Sequence, residues 1–249
     1  MLSDWFQKAN FIRHALFRRD DSFIRDSLTP QCPICKLPSD NLQAYSVCSA
    51  CEAWYPQLPR CQRCGLKTLA PVDMCGQCLS KPPIWHQLYC VGDYQFPLSN
   101  SIHQLKYQRQ FWQAKPLAKR LSQCIDTPAP VITSVPLHWY RYLRRGFNQS
   151  DLIAQHLAAF LAVDYQPQLF SRILNTKAQQ GLTKAQRKRN LAKAFRLNRH
   201  PNSNHVAIVD DVVTTGSTVQ HLCHLLLEVG VERVDIYCIC RTPEPDESR

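Results

Sequence analysis

Glycine and long apolar runs are both scarce in this sequence. Only 7 of the 249 residues are Gly, against 17 Pro, which indicates loops that are stiff rather than flexible. No run of roughly 18 apolar residues occurs, so no transmembrane helix is expected. Residues 1–21 lack the apolar core and the small-residue cleavage site of a secretion signal, and we therefore expect a cytoplasmic protein.

Acidic residues are missing from two long stretches, which leaves both stretches basic. Between Tyr94 and Ser150 there are eight Lys or Arg and one acid; between Arg172 and Arg199 there are nine Lys or Arg and no acid. The formal net charge is +11. An uncompensated basic run repels itself, so we expect a polyanionic partner: nucleic acid, nucleotide phosphates or an acidic membrane surface. Solvated helix faces are the alternative.

Apolar residues at helical spacing mark the N-terminal segment, residues 1–27. Trp5, Ala9, Ile12 and Leu16 recur on one side of a helix with a period of 3.6 residues. This pattern predicts an amphipathic helix that docks on the body of the protein. A helix that anchors the chain to a membrane surface is the alternative.

Thirteen cysteines are present, and eight of them form four Cys-x-x-Cys pairs. Twelve residues separate the first two pairs and ten separate the last two. Each such turn directs two sulfurs to one side, and two turns complete a tetrahedral site for zinc. The spacing predicts a double zinc ribbon across residues 28–80 with two closed, structural Zn²⁺ sites. The predicted ligands are Cys32, Cys35, Cys48, Cys51, Cys61, Cys64, Cys75 and Cys78.

Two questions about these cysteines stay open at the level of sequence. Disulfides are the alternative to zinc, although they would need an oxidising compartment. The four pairs could be joined in series, or nested so that the two outer pairs share one ion. Zinc ribbons can also bind DNA or RNA, but their commoner use is to stabilise a short segment that has little core.

After a Pro-rich linker, Ser80–Trp85, strand patterns alternate with helix patterns. The chain is 45% hydrophobic, enough for a core, and the alternation predicts an α/β domain with a mostly parallel sheet. The predicted strands are an edge hairpin at 87–98 and single strands at 131–135, 205–209 and 232–242. The predicted helices are 99–125, 145–163, a basic helix at 181–195, and 217–230.

Two aspartates and a hydroxyl-rich turn follow the buried strand at 205–209. In "HVAIVDDVVTTGSTVQ", Asp210 and Asp211 precede a loop of Thr, Gly and Ser that leads into a helix near Ser217. The N-terminus of a helix binds phosphate through its unpaired N–H groups and its dipole. Two carboxylates would repel that phosphate but would accept hydrogen bonds from ribose hydroxyls. The stretch therefore predicts a site for a ribose 5-phosphate group.

The same stretch resembles the signature with which type I phosphoribosyltransferases bind phosphoribosyl pyrophosphate (PRPP). Together with the cysteine pairs, "SVPLHWYRYLRRGFNQSDLIA" and "QRKRNLAKAF", it is similar to the ComF/GntX family of competence and DNA-utilisation proteins, from about residue 28 to the end. The resemblance implies a phosphoribosyltransferase-like domain over residues 86–245, in which a mostly parallel sheet carries helices on both faces, behind the ribbon module.

The resemblance also implies roles for individual residues. The ribose hydroxyls would bind to Asp210 and Asp211. The 5-phosphate would bind to Thr214, Thr215, Gly216, Ser217 and Thr218. Pyrophosphate would bind in the loop after strand 131–135, at Arg141, Arg144, Arg145 and Gly146. A hood over the pyrophosphate would be formed by Lys177, Lys184, Arg187 and Arg189.

Two functions follow from this resemblance. An enzyme would displace pyrophosphate at the anomeric carbon of PRPP with the help of Mg²⁺; His138 is a candidate base, although a packing role is the plainer interpretation. A non-catalytic competence factor would instead bind single-stranded DNA through the basic runs and Trp112, Trp139 and Tyr140. A PRPP-sensing regulator and a partner of DNA-uptake proteins are further hypotheses.

Overall fold

The computed structural model describes residues 31–39, 47–56, 58–173 and 194–242. These residues belong to two compact units, one within residues 1–51 and one within residues 52–249. The predicted N-terminal helix over 1–27 and the predicted basic helix, apart from its last two residues, lie outside the described residues. In the part of the chain that is described, no helix is long and apolar enough to cross a membrane.

Two cysteine turns, one in each unit, have the same backbone hydrogen bonds. In the first unit Lys36 N donates to Cys32 O, and in the second unit Gly65 N donates to Cys61 O. Lys36 (φ 64°) and Gly65 (φ 72°) both adopt the left-handed conformation. The position after the turn is thus occupied by Gly in one unit, where this conformation is sterically free, and by Lys in the other. Helices α1 (Ser49–Glu52) and α2 (Gly76–Ser80) follow or contain the remaining cysteines.

A five-stranded parallel sheet forms the centre of the second unit. Its order is β1-β7-β6-β2-β3, and every pairing between these strands is parallel. The strands are β1 (Gln87–Asp93), β2 (Val131–Ser134), β3 (Asp164–Tyr165), β6 (His205–Val213) and β7 (Arg233–Arg241). A separate antiparallel pair consists of β4 (Phe170–Arg172) and β5 (Phe195–Leu197). The predicted α/β class and mostly parallel sheet are confirmed.

Helices cover both faces of this sheet because its central strands are apolar on both sides. Ala207 and Val209 of β6 belong to one buried cluster, whereas Val206 and Ile208 belong to the other. This alternation is the two-residue period of a strand buried on both faces. The first cluster packs against α3 (Leu98–Tyr107), α4 (Ala114–Ser122) and α6 (Gln149–Leu161). The second packs against α7 (Ser217–Glu228) and the β4–β5 pair.

Two predicted elements differ in the structure. The expected edge hairpin at 87–98 is one strand, β1, which pairs in parallel with β7 before the chain turns into α3. The single helix expected at 99–125 is interrupted: Arg109 adopts a left-handed φ of 56°, and a short 3₁₀ helix, Phe111–Gln113, leads into α4. Pro116 explains the break, because a residue without an N–H fits the first turn of a helix but not its middle.

One helix was not predicted, and it lies where a loop was expected. Residues Trp139–Arg145 form α5, which is capped by His138 at its start and by Gly146, with a left-handed φ of 83°, at its end. The next helix, predicted from residue 145, begins only at Gln149, because Asn148 caps it by accepting a hydrogen bond from Ser150 N. The short strands β3, β4 and β5 were also not predicted.

We expect Tyr237→Phe to destabilise the second unit by about 1–3 kcal/mol. Tyr237 is fully buried, and its hydroxyl accepts a 2.9 Å hydrogen bond from the backbone N of buried Ala129. Phe keeps the ring contact with Tyr89 but leaves that N–H without its acceptor. Urea unfolding would measure the loss, with exposed Tyr94→Phe as the matched control. Equal urea midpoints for the two variants would contradict a stabilising role for the hydrogen bond between Tyr237 and Ala129.

Candidate functional site

The two aspartates of the predicted ribose site lie inside β6 rather than after it. The strand continues to Val213 because its pairing with β7 continues, with Asp210 opposite Cys238 and Val213 opposite Arg241. Beyond Val213 the chain forms the predicted loop, and α7 begins at Ser217 as expected. The site thus lies at the carboxyl edge of a parallel sheet, where ligands bind in folds of this kind.

Asp210 is held in place by two donors. Its Oδ1 accepts hydrogen bonds from Ser150 Oγ at 3.1 Å and from the backbone N of Asp211 at 2.9 Å. Burial, followed by the neighbouring charge of Asp211, raises the pKa of Asp210 well above its ordinary value, although Lys106 acts in the opposite direction. A carboxylate in this position is stabilised by a ligand that brings hydroxyl donors or a cation.

Asp211 is paired with a lysine that the sequence did not point to. Its Oδ2 forms an ion pair with Nζ of Lys106, near the end of α3, and both side chains are largely buried. The cation lies 105 positions earlier in the sequence, so no local pattern predicts the pair. Lys106 offsets part of the negative charge at this edge of the sheet and connects α3 to the candidate site.

The loop between β6 and α7 exposes hydroxyl groups around a buried glycine. Thr214, Thr215 and Ser217 are exposed, and Oγ atoms of Thr215 and Ser217 lie 2.7 Å apart. Gly216 has a φ of 73° and is the N-cap residue of α7. The first N–H groups of a helix have no partner within the helix, so the loop presents both hydroxyl and amide donors.

One open pocket brings the predicted carboxylate and the predicted phosphate loop together. The pocket is open to solvent and is lined by Asp210 and by every residue from Val212 to Val219. An acceptor-rich end and a donor-rich end therefore face the same space. Asp211 does not line this pocket; its carboxylate forms the ion pair with Lys106.

The predicted pyrophosphate loop is mostly helical. Arg141, Arg144 and Arg145 all belong to α5, and Gly146 terminates it. The side chains of Arg141 and Arg144 lie outside the described part of the chain. The guanidinium of Arg145 donates to Gln149 Oε1 at 3.1 Å and lies 5.2 Å from the ring centroid of Tyr107. The segment therefore follows β2, as expected, but it forms a helix instead of a loop, and the guanidinium of Arg145 already has a hydrogen-bond partner within the protein.

His138 has a structural position. It is buried, and its Nδ1 accepts a 3.2 Å hydrogen bond from the backbone N of Tyr140, which caps the start of α5. This geometry favours the packing interpretation over a role as a base. The predicted hood residues Lys177, Lys184, Arg187 and Arg189 lie outside the described residues.

The eight cysteines of the four pairs gather into two groups of four, joined in series. Cys32, Cys35, Cys48 and Cys51 form one group, and Cys61, Cys64, Cys75 and Cys78 form the other, with the sulfurs of each group within 4.8 Å of one another. This grouping answers the question of nested pairing that the spacing left open.

The distances within each group fit zinc rather than disulfides. The sulfurs of Cys35 and Cys48 are 3.8 Å apart, and those of Cys64 and Cys75 are 3.7 Å apart. A tetrahedral zinc with Zn–S bonds of about 2.3 Å holds its sulfurs about 3.8 Å apart, whereas a disulfide needs about 2.05 Å. Each group could therefore hold one structural Zn²⁺.

Several known proteins are similar to this chain. A family model described as the phosphoribosyl transferase domain matches residues 143–248. The DNA utilization protein YhgH of Salmonella typhi is 43% identical over 220 residues, covering 85% of this chain and 96% of that protein. Competence protein F of Haemophilus influenzae is 35% identical over 207 residues, covering 78% of this chain and 90% of that protein.

Solved structures give a weaker similarity. A hypoxanthine phosphoribosyl transferase of Trypanosoma cruzi aligns with 55% of this chain and 74% of its own, at 17% identity and a TM-score of 0.33. A hypoxanthine phosphoribosyltransferase of Staphylococcus aureus aligns at 14% identity with a TM-score of 0.31, over 54% of this chain and 72% of its own. Scores this low carry no argument about ligands.

We expect two zinc ions per chain, one in each cysteine group, in protein purified under reducing conditions. Cys75→Ser should lower the content to about one zinc, because three thiolates and a hydroxyl bind Zn²⁺ more weakly than four thiolates do. Elemental analysis against protein concentration provides the measurement. Cys124→Ser, which changes a cysteine outside both groups, is the control. A wild-type protein with less than about one zinc per chain would refute both sites.

Proposed function

The chain belongs to the ComF/GntX family of competence and DNA-utilisation proteins, and from that premise we propose that it binds PRPP or another ribose 5-phosphate ligand together with Mg²⁺. The observation that supports this most directly is the single pocket lined by both Asp210 and the Thr214–Thr218 loop. The two cysteine groups are proposed as structural zinc sites. Reduced thiols at this spacing also support a cytoplasmic location.

The proposed ligand satisfies both ends of the pocket. The 5-phosphate would accept hydrogen bonds from the loop hydroxyls and from the first amides of α7. The ribose hydroxyls would donate to Asp210 and, once Lys106 shifts its contact, to Asp211. Hydroxyl donors stabilise the charged carboxylate, which offsets the burial that raises the pKa of Asp210. A phosphate without a sugar would satisfy only the loop.

The Mg²⁺ site is proposed from the chemistry of the donors. A pair of neighbouring carboxylates, of which Asp211 is buried and Asp210 is half-buried with a raised pKa, is a donor set that suits a hard divalent cation. When bound, Mg²⁺ would reduce the negative charge of a pyrophosphate group. Asp210 and Asp211 would hold the cation through water or through the ribose hydroxyls.

If the ligand reacts, the protein would act by holding both ends of it. Binding of the 5-phosphate and of the ribose hydroxyls would fix the anomeric carbon in one orientation while the bond to pyrophosphate breaks. Arg141, Arg144 and Arg145 would stabilise the charge that builds up on the leaving pyrophosphate. Lys177, Lys184, Arg187 and Arg189 would close over it as a hood and exclude water. Gly146 would permit the turn beneath it.

We expect the double variant Asp210→Asn, Asp211→Asn to bind PRPP with Mg²⁺ at least about tenfold more weakly than the wild type. Asn keeps the shape of each side chain but removes the charge, and charge-assisted hydrogen bonds contribute roughly 1.5–3 kcal/mol each. Isothermal titration calorimetry in buffer that contains Mg²⁺ would measure the affinity.

The matched control for this experiment is Asp126→Asn, which removes an exposed acid. Its affinity for PRPP should equal that of the wild type. Equal affinity in the double variant as well would reject the proposed ribose site. A screen of free bases for release of pyrophosphate would then show whether the bound ligand reacts.

Single-stranded DNA binding is the second candidate, and a group of exposed aromatic side chains favours it. Tyr107 lies against Arg145, and Phe111 packs edge-on against Phe147 at 4.6 Å, so α3 and the 3₁₀ helix meet the turn after α5. In the sequence, basic residues are interspersed with the exposed aromatic residues of these segments. We call this the aromatic surface; its exposed rings are Tyr107, Phe111, Trp112, Trp139 and Tyr140. Bases stack on such rings, and Lys and Arg bind the backbone phosphates.

If DNA binds there, Trp139→Ala should weaken the binding of an oligothymidylate by about 1–3 kcal/mol, the value of one stacked base. Trp54→Ala is the matched control, because Trp54 is 57% exposed, against 61% for Trp139, but lies outside the aromatic surface. Fluorescence anisotropy over a salt series would measure both. For each tenfold increase in salt concentration, the logarithm of the association constant should fall by roughly 0.7 per phosphate contact. No binding at low salt, or equal losses in both variants, would remove this candidate.

A further inference from the structure

A buried arginine at the end of β7 connects the second cysteine group to the start of the phosphate loop. Arg241 is 6% exposed, and its Nε donates to the carbonyl oxygen of Cys64 at 3.0 Å. From the other side of the same guanidinium, Nη1 donates to Val213 O at 3.2 Å and to the carbonyl oxygens of Thr214 and Thr242. One planar cation thus joins the Cys61–Cys64 turn to the two residues that open the loop.

A tryptophan makes a second connection between the same two segments. The indole N–H of Trp85 donates to the carbonyl oxygen of Arg63, inside the Cys61–Cys64 turn, at 2.7 Å. Its ring covers Gly216, so closely that a Cβ at that position would lie 2.9 Å from the ring carbon Cη2. The ring therefore limits how far Gly216 can move toward it, and the hydrogen bond to the cysteine turn fixes the ring.

The cysteine turn itself lies directly on the sheet. The backbone N of Leu88 in β1 donates to Gln62 O at 2.9 Å. A Cβ on Gly65 would lie 2.4 Å from Leu88 Cδ2 and 3.6 Å from Arg241 Cγ. The absence of a side chain at Gly65 therefore allows the turn to pack closely against Leu88 of β1, with Arg241 at an ordinary contact distance.

These contacts give the second cysteine group a role beyond local stability. A zinc held by four thiolates fixes the backbone of the turn, and with it the carbonyl groups of Arg63 and Cys64. Without the metal the turn loses that restraint, and the buried guanidinium loses a fixed acceptor, which is unfavourable for a charge out of water. The loop residues on its other side would then be free to shift.

We propose that the Cys61–Cys78 zinc site supports the phosphate loop, and that Arg241 and Trp85 are the positioning residues that connect the two. The inference rests on the proposed function, since the loop matters as the binding site for a 5-phosphate. It predicts that the two zinc sites are not equivalent. Loss of the second zinc should loosen residues 213–218, whereas loss of the first should leave them unchanged.

The experiment compares hydrogen–deuterium exchange of the peptide that covers residues 213–218 in a set of full-length variants. Arg241→Met should raise its exchange rate about tenfold while the zinc content stays at the wild-type value. Cys75→Ser should produce the same change with the loss of one zinc, and Cys35→Ser should not. Trp85→Phe keeps a ring over Gly216 but removes the N–H, and should raise exchange by a smaller factor.

Controls separate positioning from general stability. Tyr237→Phe lowers the stability of the same unit without touching the loop, and Arg199→Met removes an exposed arginine bonded to a distant carbonyl, Pro167 O. Neither should change exchange at 213–218 under native conditions. If the loop exchanges at the wild-type rate in Arg241→Met and Cys75→Ser, or equally fast in Tyr237→Phe, the proposal is wrong.

A ligand measurement makes failure of this inference distinguishable from failure of the proposed function. Ribose 5-phosphate, titrated calorimetrically with Mg²⁺, should bind Arg241→Met about tenfold more weakly than the wild type. If the wild type does not bind ribose 5-phosphate or PRPP, the proposed function fails, but the exchange data still decide whether the zinc site restrains the loop. Wild-type affinity in Arg241→Met would overturn the role of the arginine in positioning.

Discussion

The parallel pairing of β6 with β7, maintained as far as Val213 and Arg241, is the constraint on which the candidate site depends. It holds Asp210 and Asp211 in extended backbone at the carboxyl edge of the sheet, and it fixes the residue from which the phosphate loop departs. It also brings Arg241 to that departure point, where the guanidinium binds the carbonyl oxygens of Val213 and Thr214. If the pairing of β6 with β7 ended earlier, the two aspartates and the start of the loop would lose the strand that holds them in place.

The second constraint is the charge of two carboxylates on successive residues. Burial and Asp211 together raise the pKa of Asp210, so the pair is electrostatically costly without a partner. The structure reduces that cost with groups from two helices and from β6 itself: Lys106 on Asp211, and Ser150 Oγ and the Asp211 N–H on Asp210. A ligand that donates hydroxyls can replace part of this support. Both acids are thus restrained by protein groups.

Sequence patterns predicted the parts of this fold that are local. The parallel sheet, the strand before Asp210, the start of α7 near Ser217 and the cysteine pairs all follow from short-range periodicity or spacing. Long-range neighbours could not be predicted that way: Lys106 beside Asp211 and Arg241 beside Cys64 are contacts between distant positions. Two differences from the predicted elements have a cause that is visible in the sequence. The helix expected at 99–125 is interrupted because Pro116 does not fit the middle of a helix, and α5 begins where His138 acts as its N-cap. The short strands β3 to β5 carry too few residues for a pattern.

The carboxylates also bear on where a polyanion can bind to a chain with a net charge of +11. The sugar of DNA has no 2-hydroxyl, and its 3-oxygen is esterified within a strand, so internal nucleotides offer Asp210 no hydroxyl donor. A DNA phosphate on the loop would thus bring its charge close to unsatisfied acids, whereas a free ribose 5-phosphate would not. The aromatic surface carries Arg145, and the sequence has no acid at residues 107–112 or 139–145, which supply its rings. If the proposed function holds, the pocket would favour a sugar phosphate with free hydroxyls, and any DNA binding would belong to the aromatic surface, so mutations would separate the two functions.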